Sequence, residues 1–257
     1  MEIHGVIFDL YGTLVPFSPN AYARLVGGIG DTLGLPKSHF IHEWANAWSD
    51  LEKGKFSSTE AFVVHVAKTL GLRIKPGEAH RMAERHRRFQ RKTLRPAVHV
   101  ASTLRRLRDR GLKVGVVTNC PPETPALWTR FKVKNLISVA VFSCVERVSK
   151  PSSEIYQRCL RRMKCRPDAC VFVGDGGNDE LAGAAAIGLR PIWLRPKRTF
   201  SPAKVVPQGG ATIQRIDEVL RFCPTLRDHR ICDVPLVGRH LKGHEQQKIV
   251  CRTTPPR

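Results

Sequence analysis

The sequence predicts an α/β protein: a parallel sheet with helices on both faces, with an all-helical unit inserted near its start. Three observations predict this. Val6-Ile7-Phe8 is a short apolar run of branched and aromatic residues that ends on Asp9, as a buried strand does. From Pro96 to Leu194 helical and strand-like segments alternate, the pattern of a parallel sheet covered by helices. Between the two, residues 16–94 carry helical periodicity alone.

After the first strand Pro16 and Pro19 break the pattern, and helices are expected over Asn20–Leu33, Lys37–Leu51, Ser58–Leu70 and Gly77–Thr93. Ser57, Ser58 and Glu60 supply start signals for the third helix and Gly71 its stop. The fourth carries Arg81, Arg85, Arg87, Arg88, Arg91 and Lys92, with Arg95 just beyond it. That stretch is either a solvated helix face or an anion-attracting wall over an active site. A helix over Ala97–Arg110 follows, with Val100, Leu104 and Leu107 as its apolar stripe and Gly111 as its end. Strands are expected over Lys113–Thr118, Val139–Ser143, Cys170–Gly174 and Arg190–Leu194. Helices near Pro125–Phe131, Ser152–Met163 and Asn178–Ile187 lie between them.

From Phe222 onward the pattern fades into prolines and basic residues. This tail holds Cys223, His229, Cys232, His240, His244 and Cys251. His240 and His244 are spaced for one helix face, but Gly243 opposes a helix and no zinc-ligand grammar surrounds them.

A chain of 257 residues can bury a substantial core. Its 43 Lys+Arg against 22 Asp+Glu give a formal charge of +21, which attracts anions of any kind without choosing among them. Aromatic residues are 7% and are not interleaved with the basic ones, so nucleic acid is not the main partner expected. None of the eight cysteines forms a CxxC pair, and no amino-terminal signal segment is evident. They read as reduced thiols of a soluble, cytoplasmic protein. No apolar run approaches the ~20 residues that span a bilayer.

The polar residues fall at the carboxyl ends of the predicted strands, where open parallel sheets place their ligands. Asp9 is a candidate nucleophile or metal ligand there. Thr118-Asn119 end the second strand, Ser149-Lys150-Pro151 precede a helix, and Gly174-Asp175-Gly176-Gly177-Asn178-Asp179 follow the fourth strand. Asp9, Thr118, Lys150, Asp175 and Asp179 therefore converge on one cleft. Three carboxylates in one cleft repel one another unless a cation joins them. All-oxygen ligands of this kind suit Mg²⁺. Lys150 and the Thr118 hydroxyl offer charge and a donor to an anionic substrate oxygen.

In this order and spacing the motifs resemble those of the haloacid dehalogenase-like (HAD) superfamily of hydrolases. Asp9-x-Tyr11-Gly12-Thr13 is similar to its motif one and Thr118-Asn119 to motif two. Lys150-Pro151 is similar to motif three and Gly174-Asp175-x-x-x-Asp179 to motif four. The resemblance covers about residues 3–222. It implies a Rossmann-like core over 1–15 and 95–222, a helical cap over 16–94 as in phosphoglycolate phosphatases and 2-haloacid dehalogenases, and a loosely ordered basic tail over 223–257. It also implies that Asp9 attacks the substrate to form a covalent intermediate that water hydrolyses. Thr118, Asn119 and Lys150 would hold the transferred group. Mg²⁺ would bind to Asp9, the backbone carbonyl of Tyr11 and Asp175, with Asp179 supporting a metal-bound water. The expected substrate is an anionic, phosphorylated small molecule.

Two residues pull in different directions. The superfamily's phosphatases usually place a second Asp where this chain has Tyr11, as general acid and base. A tyrosine is a poor base at neutral pH, though it can donate a hydrogen bond. Tyr11 is similar to the 2-haloacid dehalogenases, whose halide leaving group needs no proton. Arg24 in the first cap helix would be a candidate to receive that halide. Asp175, by contrast, restores the charge a metal-dependent phosphatase needs. Three readings follow: a Mg²⁺-dependent phosphatase, a metal-independent dehalogenase, and a weakly active member that binds a phosphorylated ligand or a protein partner. The phosphatase reading is preferred, because an unneutralised buried carboxylate costs several kcal/mol whereas a lost proton donor only slows turnover.

Overall fold

A computed structural model describes residues 2–195 and 207–224. The five expected strands form, and a sixth joins them: β1 (Gly5–Phe8), β2 (Lys113–Thr118), β3 (Val139–Phe142), β4 (Cys170–Gly174), β5 (Arg190–Leu194) and β6 (Ala211–Ile213). All pair in parallel, in the order β3-β2-β1-β4-β5-β6. β1 is central, with Phe8 opposite Val116 on one side and Val173 on the other. The sequence reading missed β6, whose three residues are too few to show alternation.

Both faces of the sheet are covered, so its strands are near-continuous apolar runs. On one face Val6, Phe8, Val171 and Val173 pack against α5 (Val100–Asp109) through Val100, Leu104 and Leu107. On the other, Ile7, Val117 and Phe172 pack against α8 (Ser153–Met163) and α9 (Glu180–Ala186) through Ile155, Tyr156, Cys159, Leu181 and Ala184. Gly115 faces α8 at close range: a Cβ there would lie 2.5 Å from Met163 Sδ and 2.9 Å from Cys159 Sγ. Two short helices, α6 (Thr124–Trp128) and α7 (Ser143–Glu146), follow β2 and β3.

The residues between β1 and α5 form four helices: α1 (Pro19–Asp31), α2 (Lys37–Glu52), α3 (Thr59–Thr69) and α4 (Pro76–Thr93). Ser18 and Ser58 cap α1 and α3, accepting from the amides of Ala21 and Ala61 at 3.3 and 3.2 Å. The Glu78 carboxylate accepts from the Lys75 amide at the start of α4. These helices enclose their own core of Val26, Ile29, Phe40, Trp44, Phe62, Val66 and Met82. The chain enters and leaves the helical unit at one neck, where the Ala97 amide donates to the Leu14 carbonyl at 2.9 Å.

Cys223, read from sequence as part of the tail, is fully buried in the sheet core. Arg110 Nη1 donates to its carbonyl and to that of Leu220. The cysteines and histidines from His229 onward, His240 and His244 included, lie outside the described residues. No helix among the described residues is long and apolar enough to cross a membrane.

Candidate active site at the carboxyl edge of the sheet

A cavity of about 400 Å³ lies between the carboxyl ends of the strands and the helical unit. Its floor comes from the sheet side: Asp9, Tyr11, Asn119, Lys150, Asp175 and Asn178. Its walls are mostly apolar residues of α1 and α2, among them Tyr22, Val26, Ile41, Trp44 and Trp48. Glu52 and Gln90 also line it.

Asp9 ends the central strand and is 4% exposed. Its Oδ1 ion-pairs with Lys150 Nζ, while its Oδ2 is buried without a hydrogen-bond partner. Lys150 Nζ also lies 2.5 Å from Glu180 Oε2. Burial alone would lower the Lys150 pKa, but Asp9 and Glu180 outweigh it and hold the ammonium protonated. Glu180 is pushed well above the usual carboxylate range by burial, with Asp9 and Asp175 adding to the push and Lys150 opposing it.

Asp9, Asp175 and Glu180 each offer an oxygen, and these atoms lie within 4.8 Å of one another. Three carboxyl groups meet here and Lys150 pairs with two of them, so the ionised cluster lacks positive charge. The orphaned Asp9 Oδ2 and the all-oxygen donor set fit a hard divalent cation. Gly12 makes this approach feasible, with φ +89° and an ideal Cβ position only 2.1 Å from Asp175 Oδ2. Any side chain there would displace the carboxylate.

The third carboxylate is Glu180, whereas the sequence reading put Asp179 in the cleft. Asn178 and Asp179 both take left-handed backbone conformations, with φ 51°. Asp179 is exposed, and the chain delivers the next residue inward at the start of α9. Glu180 Oε1 then accepts from the Gly176 amide at 3.0 Å and ties the loop back on itself. An acidic residue in the first turn of a helix was visible in the sequence. Which of two adjacent acids faces the cleft depends on backbone conformation.

Thr118 is fully buried at the end of β2, donates to the Asn119 carbonyl at 3.2 Å and does not line the cavity. Asn119 does line it, and it also holds the Lys150 backbone through two hydrogen bonds. The Tyr11 hydroxyl donates to Gln90 Oε1 at 2.9 Å and lies 3.1 Å from Thr124 Oγ1. Burial and the neighbouring Cys120 push its pKa up, so the phenol stays neutral. Neither Gln90 nor Thr124 had a sequence signal, because both act by reaching Tyr11 across more than seventy residues.

Arg24 is exposed and outside the cavity lining, so it does not face a halide there. The arginines of α4 do not line the cavity either. Arg87 pairs with Glu60 and Glu84, Arg91 pairs with Glu84, and Arg85 donates to the Gly28 carbonyl. Their stretch is a solvated, locally paired face.

The chain and its fold have known counterparts. The profile of the haloacid dehalogenase-like hydrolases matches residues 3–187. The glyceraldehyde 3-phosphate phosphatase of Methanothermobacter thermautotrophicus is 30% identical over 129 residues, 49% of this chain and 56% of that protein. The phosphoglycolate phosphatase of Shigella boydii is 27% identical across 85% of this chain and 92% of its own length. The 2-haloacid dehalogenase structure from Pseudomonas syringae pv. Tomato superposes with a TM-score of 0.64 at 22% identity, covering 85% of this chain and 97% of that one. With this match over most of its length, the chain belongs to the haloacid dehalogenase-like hydrolases.

Proposed function

We propose that this hydrolase removes the phosphate group from a phosphorylated small molecule, with Asp9 as the nucleophile and Mg²⁺ as its cofactor. The observation that carries the proposal is the buried Asp9 Oδ2, unpartnered and beside Asp175 and Glu180 at the floor of the cavity. A free, ionised carboxylate oxygen facing a ligand cavity is what nucleophilic attack on phosphorus requires. Asp9 and Asp175 would hold Mg²⁺ together with the Tyr11 backbone carbonyl, and the ion would supply positive charge to the transferred phosphoryl oxygens.

The remaining work falls to the chain itself. Asp9 attacks phosphorus and becomes an aspartyl phosphate, and water then cleaves that acyl phosphate and restores the carboxylate. The Lys150 ammonium pairs with Asp9 and offsets the charge of the phosphoryl group. Asn119 fixes where Lys150 stands. The helical unit acts as the cap, closing the cavity and excluding bulk water. A volume of about 400 Å³ suits a small-molecule ester.

The second reading is metal-independent dehalogenation of a 2-haloacid. It is favoured by Tyr11, which puts no carboxylic acid at that position and commits its hydroxyl to Gln90 and Thr124. One experiment separates the two. Purified protein is assayed on 4-nitrophenyl phosphate with Mg²⁺ and with EDTA, beside halide release from 2-chloropropionate. Phosphate release that EDTA abolishes is the expected result. Halide release that EDTA leaves intact would make Tyr11 the better guide.

A further inference from the structure

We propose that Glu52, at the end of α2, is the general acid that protonates the leaving oxygen, and that the alcohol released is an apolar one. This rests on the phosphatase reading above and supplies what that reading lacks at position 11.

The argument is one of place and elimination. An in-line displacement sends the leaving oxygen away from Asp9, toward the helical unit. A general acid must therefore stand on that side of the cavity. Among the described residues, six ionisable side chains line the cavity: Asp9, Tyr11, Tyr22, Glu52, Lys150 and Asp175. Asp9 attacks, and Asp175 belongs to the carboxylate cluster on the floor. Lys150 is held protonated between Asp9 and Glu180. Tyr11 is committed to Gln90 and Thr124. The Tyr22 hydroxyl accepts from Trp44 Nε1 at 3.0 Å and lies 3.2 Å from His86 Nε2. Glu52 remains.

Glu52 is 8% exposed and, among the described residues, forms no ion pair within 4.0 Å. It is the last residue of a sixteen-residue helix, where the helix dipole disfavours negative charge. Burial pushes its carboxyl up to about 7. A hydrogen bond from Trp48, which a carboxylate can accept while keeping its second oxygen for the substrate, and the charges of Lys150 and Lys53 act to lower it, and Asp9 raises it. The group thus carries a proton near neutral pH and can give it up. The walls of the cavity include Tyr22, Val26, Ile41, Trp44 and Trp48, and among the described residues Lys150 is the single cationic side chain in the lining. A second anionic group on the substrate would find no further cation there.

The step balances. As the Asp9 oxygen bonds to phosphorus, the ester P–O bond breaks and the Glu52 proton goes to the departing oxygen, giving the free alcohol. Glu52, now ionised, takes a proton from the water that attacks the aspartyl phosphate. The Asp9–phosphorus link breaks, inorganic phosphate leaves and Glu52 is protonated again.

The test compares benzyl phosphate, whose alkoxide needs a proton, with 4-nitrophenyl phosphate, which is similar in size but leaves without one. In Glu52→Gln, kcat/KM on benzyl phosphate should fall about 10²–10⁴-fold, and on 4-nitrophenyl phosphate less than about tenfold. An equal loss on both substrates, or no loss on either, overturns the role. In the unmodified enzyme, kcat/KM on benzyl phosphate should decline as pH rises through about 7, while 4-nitrophenyl phosphate shows no such limb. Identical profiles overturn the proposal without recourse to any variant. Phosphoglycolate, which carries a carboxylate, should be at least about tenfold poorer than benzyl phosphate; the reverse order overturns the apolar assignment. Asp9→Asn run in parallel should abolish both activities. Phosphate release that survives it would remove the phosphatase reading itself, and Glu52 with it.

Discussion

Asn119 and Lys150 are joined twice: Asn119 Oδ1 accepts from the Lys150 amide at 2.8 Å, and Asn119 Nδ2 donates to the Lys150 carbonyl at 3.1 Å. A side chain from the end of one strand thus sets the backbone of the residue whose ammonium holds Asp9. Asn119→Ala removes both bonds, each worth about 1 kcal/mol net. Stability should fall by about 2 kcal/mol in denaturant titration, and kcat by about 10- to 100-fold as Lys150 loses its placement. Asn119→Asp keeps the acceptor but sets a carboxylate oxygen against the Lys150 carbonyl, so its losses should be no smaller.

The contrast between two adjacent acids is a second expectation. Glu180→Gln keeps a polar group near the Gly176 amide but removes one of the two carboxyl partners of Lys150. It should lower phosphatase activity about 10- to 100-fold, as loss of a supporting carboxylate at a metal site does. Asp179→Asn, at the exposed neighbour, should change activity less than about threefold. Parallel Mg²⁺ titrations of the two variants check this. Equal effects would mean the loop turns Asp179 inward when substrate binds.

Tyr11→Phe removes a hydroxyl that serves Gln90 and Thr124. Its cost should appear in stability, about 1 kcal/mol by thermal or chemical unfolding, since Gln90 and the buried Thr124 lose a partner. Turnover of an activated aryl phosphate should change by less than about threefold. A fall of about a hundredfold would return the phenol to the chemistry.

His86 makes the helical unit acid-sensitive. Burial, with Arg87 adding to it, pulls its pKa from 6.5 down to about 4. An unfolded chain takes up a proton below pH 6.5 that the folded chain refuses until about pH 4. Stability is therefore present above pH 6.5 and is lost progressively as pH falls toward 4, by about 3 kcal/mol from this group. Chemical denaturation at pH 7, 5.5 and 4.5 should show that slope, and His86→Gln should flatten it.

How much of this was legible in the chain depends on the range of the interaction concerned. The buried parallel strands could be read because a strand covered on both faces must be apolar throughout, as Val6-Ile7-Phe8 and Val171-Phe172-Val173 are. The helical unit could be read because its four helices face one core and carry its 3.6-residue period. Of Asp9, Thr118, Lys150, Asp175 and Asp179, expected at one edge from parallel topology, Asp9, Lys150 and Asp175 line the cavity, whereas Thr118 is buried beneath it and Asp179 is turned outward. These are consequences of local pattern plus one rule of connection.

Tertiary structure alone decided the rest. Glu180 replaced Asp179 because two successive left-handed residues rotated the loop by one side chain, a conformational choice that an Asn-Asp pair permits without requiring it. Tyr11 lines the cavity, and the destination of its hydroxyl is set by Gln90 and Thr124, which only folding brings near. Glu52 carried no signal in the sequence, and only the folded chain sets it in the lining of the cavity beside Trp44 and Trp48. Sequence determined which residues could meet at the edge of the sheet. Desolvation and long-range contacts, which exist only once the chain is packed, decided which of them are charged, which are committed and which are free to react.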